Sequence, residues 1–389
     1  MRILLSCLQD LRQHAIPAYR FWATYFRNGI VEAGHEFTEV PNVDWAEGCT
    51  AKSKDELKVW RDAIWTRTLE WVRSELVSGR RIDLFLSYLF PQQIEPSAIA
   101  EIKKLGIPCV NFFCDNIREF RRVPREFRCF DLHWVPEYEA LPIYKRESLK
   151  TCFAPMPCWV PKEARSPEVA ENRQVTFIGS SDNLRRALFA RALSLGAPLK
   201  IAGAGWLENA PTNVTSKQDR SIASIVRNQA KILRNQGLGQ WLRRTIQRIT
   251  PPSGNTIPPS SLLPPVGDHD YVDLIRESMI TLGVNRVPTF RRSPRNPLTY
   301  SRLRDIEAPM MGACYLTEWT EGLTHFYDVG AEIETYRKAE EMVGKIDMLS
   351  NDKHKRLSLR AAGQRRALND LTIGKSVKRI CSALELSAH

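Results

Sequence analysis

At 389 residues the chain is too long for one ordinary hydrophobic core and predicts two domains of about 150 to 200 residues. With 43% hydrophobic and 26% charged residues it is neither a disordered composition nor a membrane bundle: no run approaches the roughly 18 apolar residues of a spanning helix, and Met1 to Cys7 is too short for a secretory leader. A net charge of +12 calls for an anionic partner, whether nucleic acid, nucleoside diphosphate or acidic membrane surface, and by itself does not choose among them.

In chain order, residues 2–7 predict a short buried strand, 15–33 a helix closed by Gly34, and His35 to Val40 a second strand. A long Trp-rich helix over 55–78 follows, then a strand at Ile82 to Leu89, a helix over 96–105 closed by Gly106, and strands at Pro108 to Cys114 and Asp131 to Val135. Alternation of this kind predicts a doubly wound parallel sheet over 1–160, and the Pro-rich stretch Ala154 to Pro167 predicts a linker.

The alternation restarts with a strand at Gln174 to Ile178, a helix at Leu184 to Leu195 and a strand at Leu199 to Ala202. After an interruption come a helix from Tyr271, a strand at Met279 to Val284, a helix at Tyr300 to Met311 closed by Gly312, a strand at Cys314 to Thr317 and a helix at Ala339 to Leu349. A second Rossmann-like domain is therefore predicted over 170–374, with a basic insertion at 208–268 and a terminal helix within 375–389 packing back on the first domain. Two such sheets face each other across a cleft at the carboxyl ends of their strands, where ligands of open α/β sheets bind.

Within 215–250, eight basic residues stand against Asp219 alone, which is +7 of the chain's excess. Leu238, Trp241, Leu242, Ile246 and Ile249 fall at helical spacing with Arg243, Arg244 and Arg248 between them, and a second amphipathic candidate spans 220–235. The segment reads either as a helix lying on an anionic membrane, tethered by Pro251 to Pro265, or as one packed on the protein with its arginines solvated. Its single aromatic residue argues against nucleic acid. The nine cysteines show neither CxxC pairs nor zinc spacing and read as reduced, mostly buried thiols. These features together predict a cytoplasmic protein, peripheral at most on the inner face of a membrane.

Two motifs point to chemistry. Val175 to Arg186 runs a strand into Gly179-Ser180-Ser181 and then a helix with Arg185 and Arg186 in its first turn, a turn suited to phosphate. The second is Tyr300 to Glu318, with Arg302, Arg304 and Glu307-Ala-Pro before Gly312, followed by Gly330-Ala-Glu332 and Tyr336 to Glu341. On these residues the chain resembles, over about 174–375, the C-terminal domain of group 1 glycosyltransferases, and within them the spore-maturation CgeB-like proteins. The resemblance implies the two-Rossmann GT-B fold and transfer from a nucleoside diphosphate sugar as co-substrate, with no separate cofactor and no obligatory metal. It also implies that Glu307 holds the ribose hydroxyls, and that Gly179, Ser180, Arg186 and the helix from Tyr300, with Arg302 and Arg304, hold the diphosphate. The alternative for Glu307 is a helix-surface carboxylate paired with Arg304. Relatives often carry a second acid where Thr299 stands here, facing the sugar.

The acceptor, a glycan or a lipid-linked or surface-polymer precursor, belongs on loops after the first domain's strands. Asp10 and His14 follow the first strand, Asp115 follows Phe112-Phe-Cys, and Glu137 has a similar position; each is a candidate for taking or positioning a hydroxyl proton, or an ordinary turn residue. His269 reads as a loop residue before the helix at Tyr271. A sugar-nucleotide epimerase of the same fold and a non-enzymatic basic α/β protein that binds membrane or nucleic acid are the alternatives.

Overall fold

The computed structural model describes residues 1–14, 16, 19–50, 52–165, 170–206, 256–264, 266–289, 292–293 and 296–386. The basic segment 215–250 and the first part of the Pro251 to Pro265 tether lie outside them.

The first unit is a six-stranded parallel sheet built from β1 (Arg2–Ser6), β2 (Glu36–Thr38), β3 (Leu84–Ser87), β4 (Cys109–Phe112), β5 (Leu132–Val135) and β6 (Thr151–Phe153), in the order β2-β1-β3-β4-β5-β6. Strands β3, β4 and β5 are buried at every position, which is what runs such as Leu-Phe-Leu-Ser require when both faces are covered by helices. The helices are α1 (Arg20–Glu32), α2 (Lys54–Val77), α3 (Pro96–Lys104), and the short α4 (Asn116–Glu119) and α5 (Leu141–Arg146). Helix α2 starts in a capping box between Ser53 and Glu56, so its first turn satisfies its own donors. Helix α1 starts at Arg20 rather than near 15, because the preceding residues are bound up in the loop contacts of Asp10, His14 and Tyr19.

The second unit is a five-stranded parallel sheet of β7 (Val175–Ile178), β8 (Leu199–Ala202), β9 (Ile280–Gly283), β12 (Tyr315–Glu318) and β13 (Glu334–Tyr336), in the order β13-β12-β9-β7-β8. Between β9 and β12 an antiparallel ribbon of β10 (Arg286–Val287) and β11 (Leu298–Thr299) projects from the carboxyl end of the sheet. Helices α6 (Asn183–Ser194), α7 (Asp268–Glu277), α8 (Arg304–Met310), α9 (Ala339–Asn351) and α10 (Lys353–Asp370) cover it. The two sheets reproduce the expected pair of doubly wound domains.

Three local expectations change. Helix α7 begins at Asp268, so His269 lies in its first turn and not in a loop. Helix α8 begins at Arg304 and has seven residues; Tyr300 to Leu303 form a lead-in, because the Asp305 carboxylate takes the Arg302 N–H at 2.9 Å and turns the chain before the helix starts. Helix α10 is hard to read by apolar periodicity because its buried face is largely polar: Arg356, Arg360 and Gln364, with Leu359, Gly363 and Ala367. Arg360 donates to the carbonyls of Arg276 and Gly312, both at 2.8 Å, and Arg356 pairs with Glu171 at 2.7 Å.

The final helix, α11 (Ile373–Ala383), packs on α1, β5 and β6 of the first unit. A side chain at Gly29 would lie 2.4 Å from Ile373, so glycine is what lets the helices meet. Glu32 of α1 accepts from Trp159 at 2.7 Å and forms a two-bonded ion pair with Arg165 at 2.6 and 2.7 Å, tying the connecting segment to the first unit.

Candidate active site

The carboxyl end of β7 and the lead-in to α8 bring three arginines together. After Ile178 the chain turns at Gly179, whose carbonyl receives the Trp206 indole N–H at 2.7 Å. Gly203 crosses directly above: its φ is +126°, and a Cβ there would fall 2.3 Å from the Gly179 oxygen, so only glycine permits the approach. Asp182 caps α6 by accepting the N–H groups of Leu184 and Arg185, both at 2.9 Å. The helix-start donors expected to meet a phosphate are therefore partly occupied by the chain itself.

Arg186 is likewise committed elsewhere. Its Nε donates to Ser181 at 2.7 Å and its Nη2 to the carbonyls of Gly205 and Trp206 at 2.6 and 3.0 Å, so it clamps the two glycine turns. Its neighbour Arg185, which the sequence put in the same turn without giving it the diphosphate, has its guanidinium over Phe177, donates to the Ser180 carbonyl at 2.8 Å, and sits 3.4 Å from Asp182. Burial, followed by the neighbouring Arg302 charge, lowers its pKa, with Arg304 acting in the same direction. Arg304 lies over Tyr271 and reaches Glu307 at 3.5 Å. Arg302 stacks on Tyr300, and among the described residues its guanidinium has no hydrogen bond or ion pair. Three like charges assembled this way form a site complementary to a multiply charged anion.

Glu307 is buried, which excludes the surface ion-pair reading, although the 3.5 Å contact with Arg304 exists. Its Oε1 accepts from Tyr25 of α1 at 2.7 Å and its Oε2 from Tyr271 of α7. Both tyrosines belong to elements distant in sequence, and Tyr25 comes from the other unit. The two hydroxyls occupy the acceptor positions that a diol would use.

Asp305, which the sequence did not single out, holds the lead-in. It is fully buried and accepts from the Tyr315 and Thr317 hydroxyls, both at 2.8 Å, in addition to the Arg302 N–H. Thr299 sits in β11 opposite Arg286, and the next residue, Tyr300, gives its hydroxyl to Asp115 across the cleft. Asp115 has φ +62°, a left-handed conformation that an aspartate adopts at a cost of about 1 kcal/mol or more, at the carboxyl end of β4. Glu137 lies behind it, accepting the N–H groups of Asn116 and Ile117 at 2.8 and 3.0 Å; burial pushes its carboxyl up to about 8. Glu137 thus fastens the turn.

Beside the arginines opens a cavity of about 870 Å³. Its walls are the ribbon with Thr299, the ends of β12 and β13 with Trp319 and Arg337, one face of α6, and Ile117 and Glu139 from the first unit. Glu139 bridges the units by accepting the Thr320 hydroxyl and, at 3.5 Å, the Gly322 N–H, while Tyr138 stacks on His325 at 4.2 Å.

Asp10 and His14 do not reach this assembly. Asp10 accepts from Tyr19 at 2.8 Å and pairs with Arg20 at 3.0 Å, which anchors the start of α1. His14 is held 2.8 Å from Asp44, whose carboxylate also receives the N–H groups of Leu11 and Glu47. A separate cavity of about 240 Å³ lies beside Asp10 and the end of β1. The loop after β1 therefore binds itself, and Asp115 is the expected first-unit acid that meets the second unit. Among the described residues no three His, Cys, Asp or Glu side chains gather as a metal site would need. All nine cysteines are free thiols, and burial pushes Cys49 and Cys129 up to about 12.

A family model described as glycosyl transferase-like matches residues 183–382. Among solved structures the chain is similar to a glycosyltransferase from Rickettsia africae ESF-5, at 12% identity over 99% of each chain with a TM-score of 0.55. It is similar to a sucrose-phosphate synthase from Thermosynechococcus elongatus, at 12% identity over 99% of this chain and 98% of that one, TM-score 0.54. It is also similar to HepE from Anabaena in complex with UDP-glucose, at 10% identity over 99% of each chain, TM-score 0.55. At these identities the likeness concerns the fold, which is GT-B. No protein of curated function matches the chain.

Proposed function

The chain belongs to the glycosyl transferase-like family, and from that premise we propose that it moves a glycosyl group from a nucleoside diphosphate sugar to an acceptor hydroxyl. The observation that carries this reading is the convergence of Arg185, Arg302 and Arg304, with Arg302 unpaired among the described residues, a positive site that a diphosphate completes. In the reaction the bond from the sugar's anomeric carbon to the diphosphate oxygen breaks, its electron pair leaves on the diphosphate, and the acceptor oxygen forms the new bond. Fixed guanidinium groups in a buried site stabilise that departing charge more than they stabilise the neutral end of the donor. Glu307 holds the ribose diol once the hydroxyls of Tyr25 and Tyr271 give way. Asp115, with Tyr300, orients or receives the acceptor proton at the opposite wall.

HepE binds UDP and UDP-glucose, which makes uridine diphosphate sugars the first donors to try. We place the chain nearest the CgeB-like branch, acting in the cytoplasm on a glycan or on a lipid-linked or surface-polymer precursor, with 215–250 against an anionic membrane. Protein cations in the donor site predict activity that survives a chelator. The test is calorimetric titration with nucleoside diphosphates, followed by product analysis with donor and candidate acceptors. Binding by the native chain and its loss in Arg302→Met support the reading; a chain that binds no nucleoside diphosphate refutes it. Epimerised donor with no transfer product would assign the site to an epimerase.

A further inference from the structure

None of Arg185, Arg302 and Arg304 lines the 870 Å³ cavity, which borders Leu298 and Thr299 and lies within the range of about 300–1,000 Å³ typical of small-molecule sites. Both units contribute to its wall, so it is complete only when they face each other.

Its charges are unequally paired. Arg286 is matched to Glu318, with contacts at 2.8 and 2.7 Å, and Arg191 to Glu340 at 2.8 Å. Arg292, Arg337 and Lys338 also line the cavity, and among the described residues none of them has an ion-pair partner. The exposed Glu321 and the partly buried Glu139, whose carboxyl burial pushes toward its neutral form, line the same cavity. The Arg337 guanidinium carbon lies over the Trp319 ring, 3.5 Å from its centroid, a cation–π contact that holds the side chain at the cavity wall. Oε2 of Glu139 is buried and accepts no hydrogen bond among the described residues, although Oε1 holds the second unit. The cavity wall therefore combines cations with no ion pair among the described residues, an aromatic ring, and a carboxylate oxygen lacking a donor among them. That combination suits a ligand with a negative group and hydroxyls, and it does not suit a wholly neutral or wholly apolar one.

We infer that this cavity seats the acceptor, and that the acceptor is an anionic sugar, a hexose unit bearing a phosphate or carboxylate held by Arg337, Lys338 and Arg292 with a hydroxyl on Glu139. The inference rests on the glycosyl-transfer reading and deepens it, since that reading places the donor's diphosphate on arginines that do not line this cavity.

The test uses the full chain, loaded with UDP, titrated calorimetrically with glucose 6-phosphate, with glucuronate and with glucose. The phosphate and carboxylate arms separate the two sources of charge, and glucose is the neutral control. At least one anionic sugar is expected to bind at least about tenfold more tightly than glucose, the scale of one charge-assisted contact. The double variant Arg337→Ala, Lys338→Ala is expected to lose that preference while keeping UDP affinity within about twofold, because the diphosphate does not touch these residues. Retained UDP binding and an unchanged melting temperature show that the variant is folded. Equal binding of glucose, binding of no anionic sugar, or an unchanged preference in the double variant would overturn the inference. Failure of UDP to bind the native chain, with anionic-sugar binding intact, sinks the donor reading instead.

Discussion

Neighbouring arginines in the first turn of α6 provide the sharpest test of the donor site, because the structure gives Arg185 and Arg186 opposite duties. Replacing Arg185 by Met removes a guanidinium that burial and two neighbouring arginines disfavour, while a Met stem remains to pack on Phe177. The free protein loses one bond to the Ser180 carbonyl, about 1 kcal/mol, and is relieved of like-charge repulsion and the cost of burying a charge. Its melting temperature should change by no more than about 3 °C, in either direction. Affinity for UDP should fall by about 10- to 150-fold, the worth of one charge-assisted contact of roughly 1.5–3 kcal/mol. Arg186→Met removes three donor contacts that hold Ser181, Gly205 and Trp206, costing about 2–4 kcal/mol and about 5–15 °C in melting temperature. Calorimetry with UDP and thermal melting of both variants decide the matter, with Lys353→Met, an exposed change on α10, as the control. The assignment is wrong if Arg185→Met binds UDP like the native chain while Arg186→Met melts normally and does not bind.

Other outcomes are expected from the same geometry. Gly203→Ala forces a methyl toward the Gly179 oxygen at a left-handed φ and should destabilise by about 2 kcal/mol or more in urea unfolding, with UDP binding lost. Glu307→Gln should weaken UDP about 10- to 100-fold through loss of a charged acceptor, whereas Tyr25→Phe, which removes the hydroxyl competing for Oε1, should leave UDP affinity unchanged or raised; a weaker Tyr25→Phe complex would show that the tyrosine aids binding. Stability should fall as pH rises from about 6.5 to 8 by roughly 1.4 kcal/mol per unit, since Glu137 retains its proton in the fold up to about 8 and gives it up near 4.5 when unfolded. Below 6.5 that trend is offset by His133, which burial holds neutral down to about 4 and which charges on unfolding, adding stability as pH rises through the same range. Urea midpoints measured from pH 5 to 9 should therefore show their loss between 6.5 and 8, and Glu137→Gln should flatten it; a flat native profile there would contradict the buried-acid account.

Much of the architecture was readable because its elements bury apolar faces of regular period. Most strands of both sheets fall where apolar runs stand, although β6 and β13, short and mixed in character, did not announce themselves, and Gly34, Gly106 and Gly312 follow the helices at left-handed φ. Elements whose buried face is largely polar were hard to read: α10 packs through Arg356, Arg360 and Gln364 as well as Leu359 and Ala367, and a periodicity of apolar residues announces it weakly. The ribbon β10–β11 is only two residues a side, too short to carry a pattern.

The site divides in the same way. Sequence by itself determined the two-sheet fold, the positions of the glycine turns and the segment Arg302 to Glu307, since these follow from local pattern and residue type. It also put Arg185 and Arg186 in one turn but gave the diphosphate to Arg186, whereas which of two adjacent side chains meets the cleft depends on what fills the other's surroundings. Only the tertiary structure decided that Arg186 clamps Gly205 while Arg185 joins Arg302 and Arg304, that Tyr25 and Tyr271 cap Glu307, and that Asp10 and His14 are occupied by Tyr19 and Asp44. Those outcomes depend on partners up to 282 residues apart along the chain, and a hydrogen bond or a repulsion between such residues exists only once folding has set their distance.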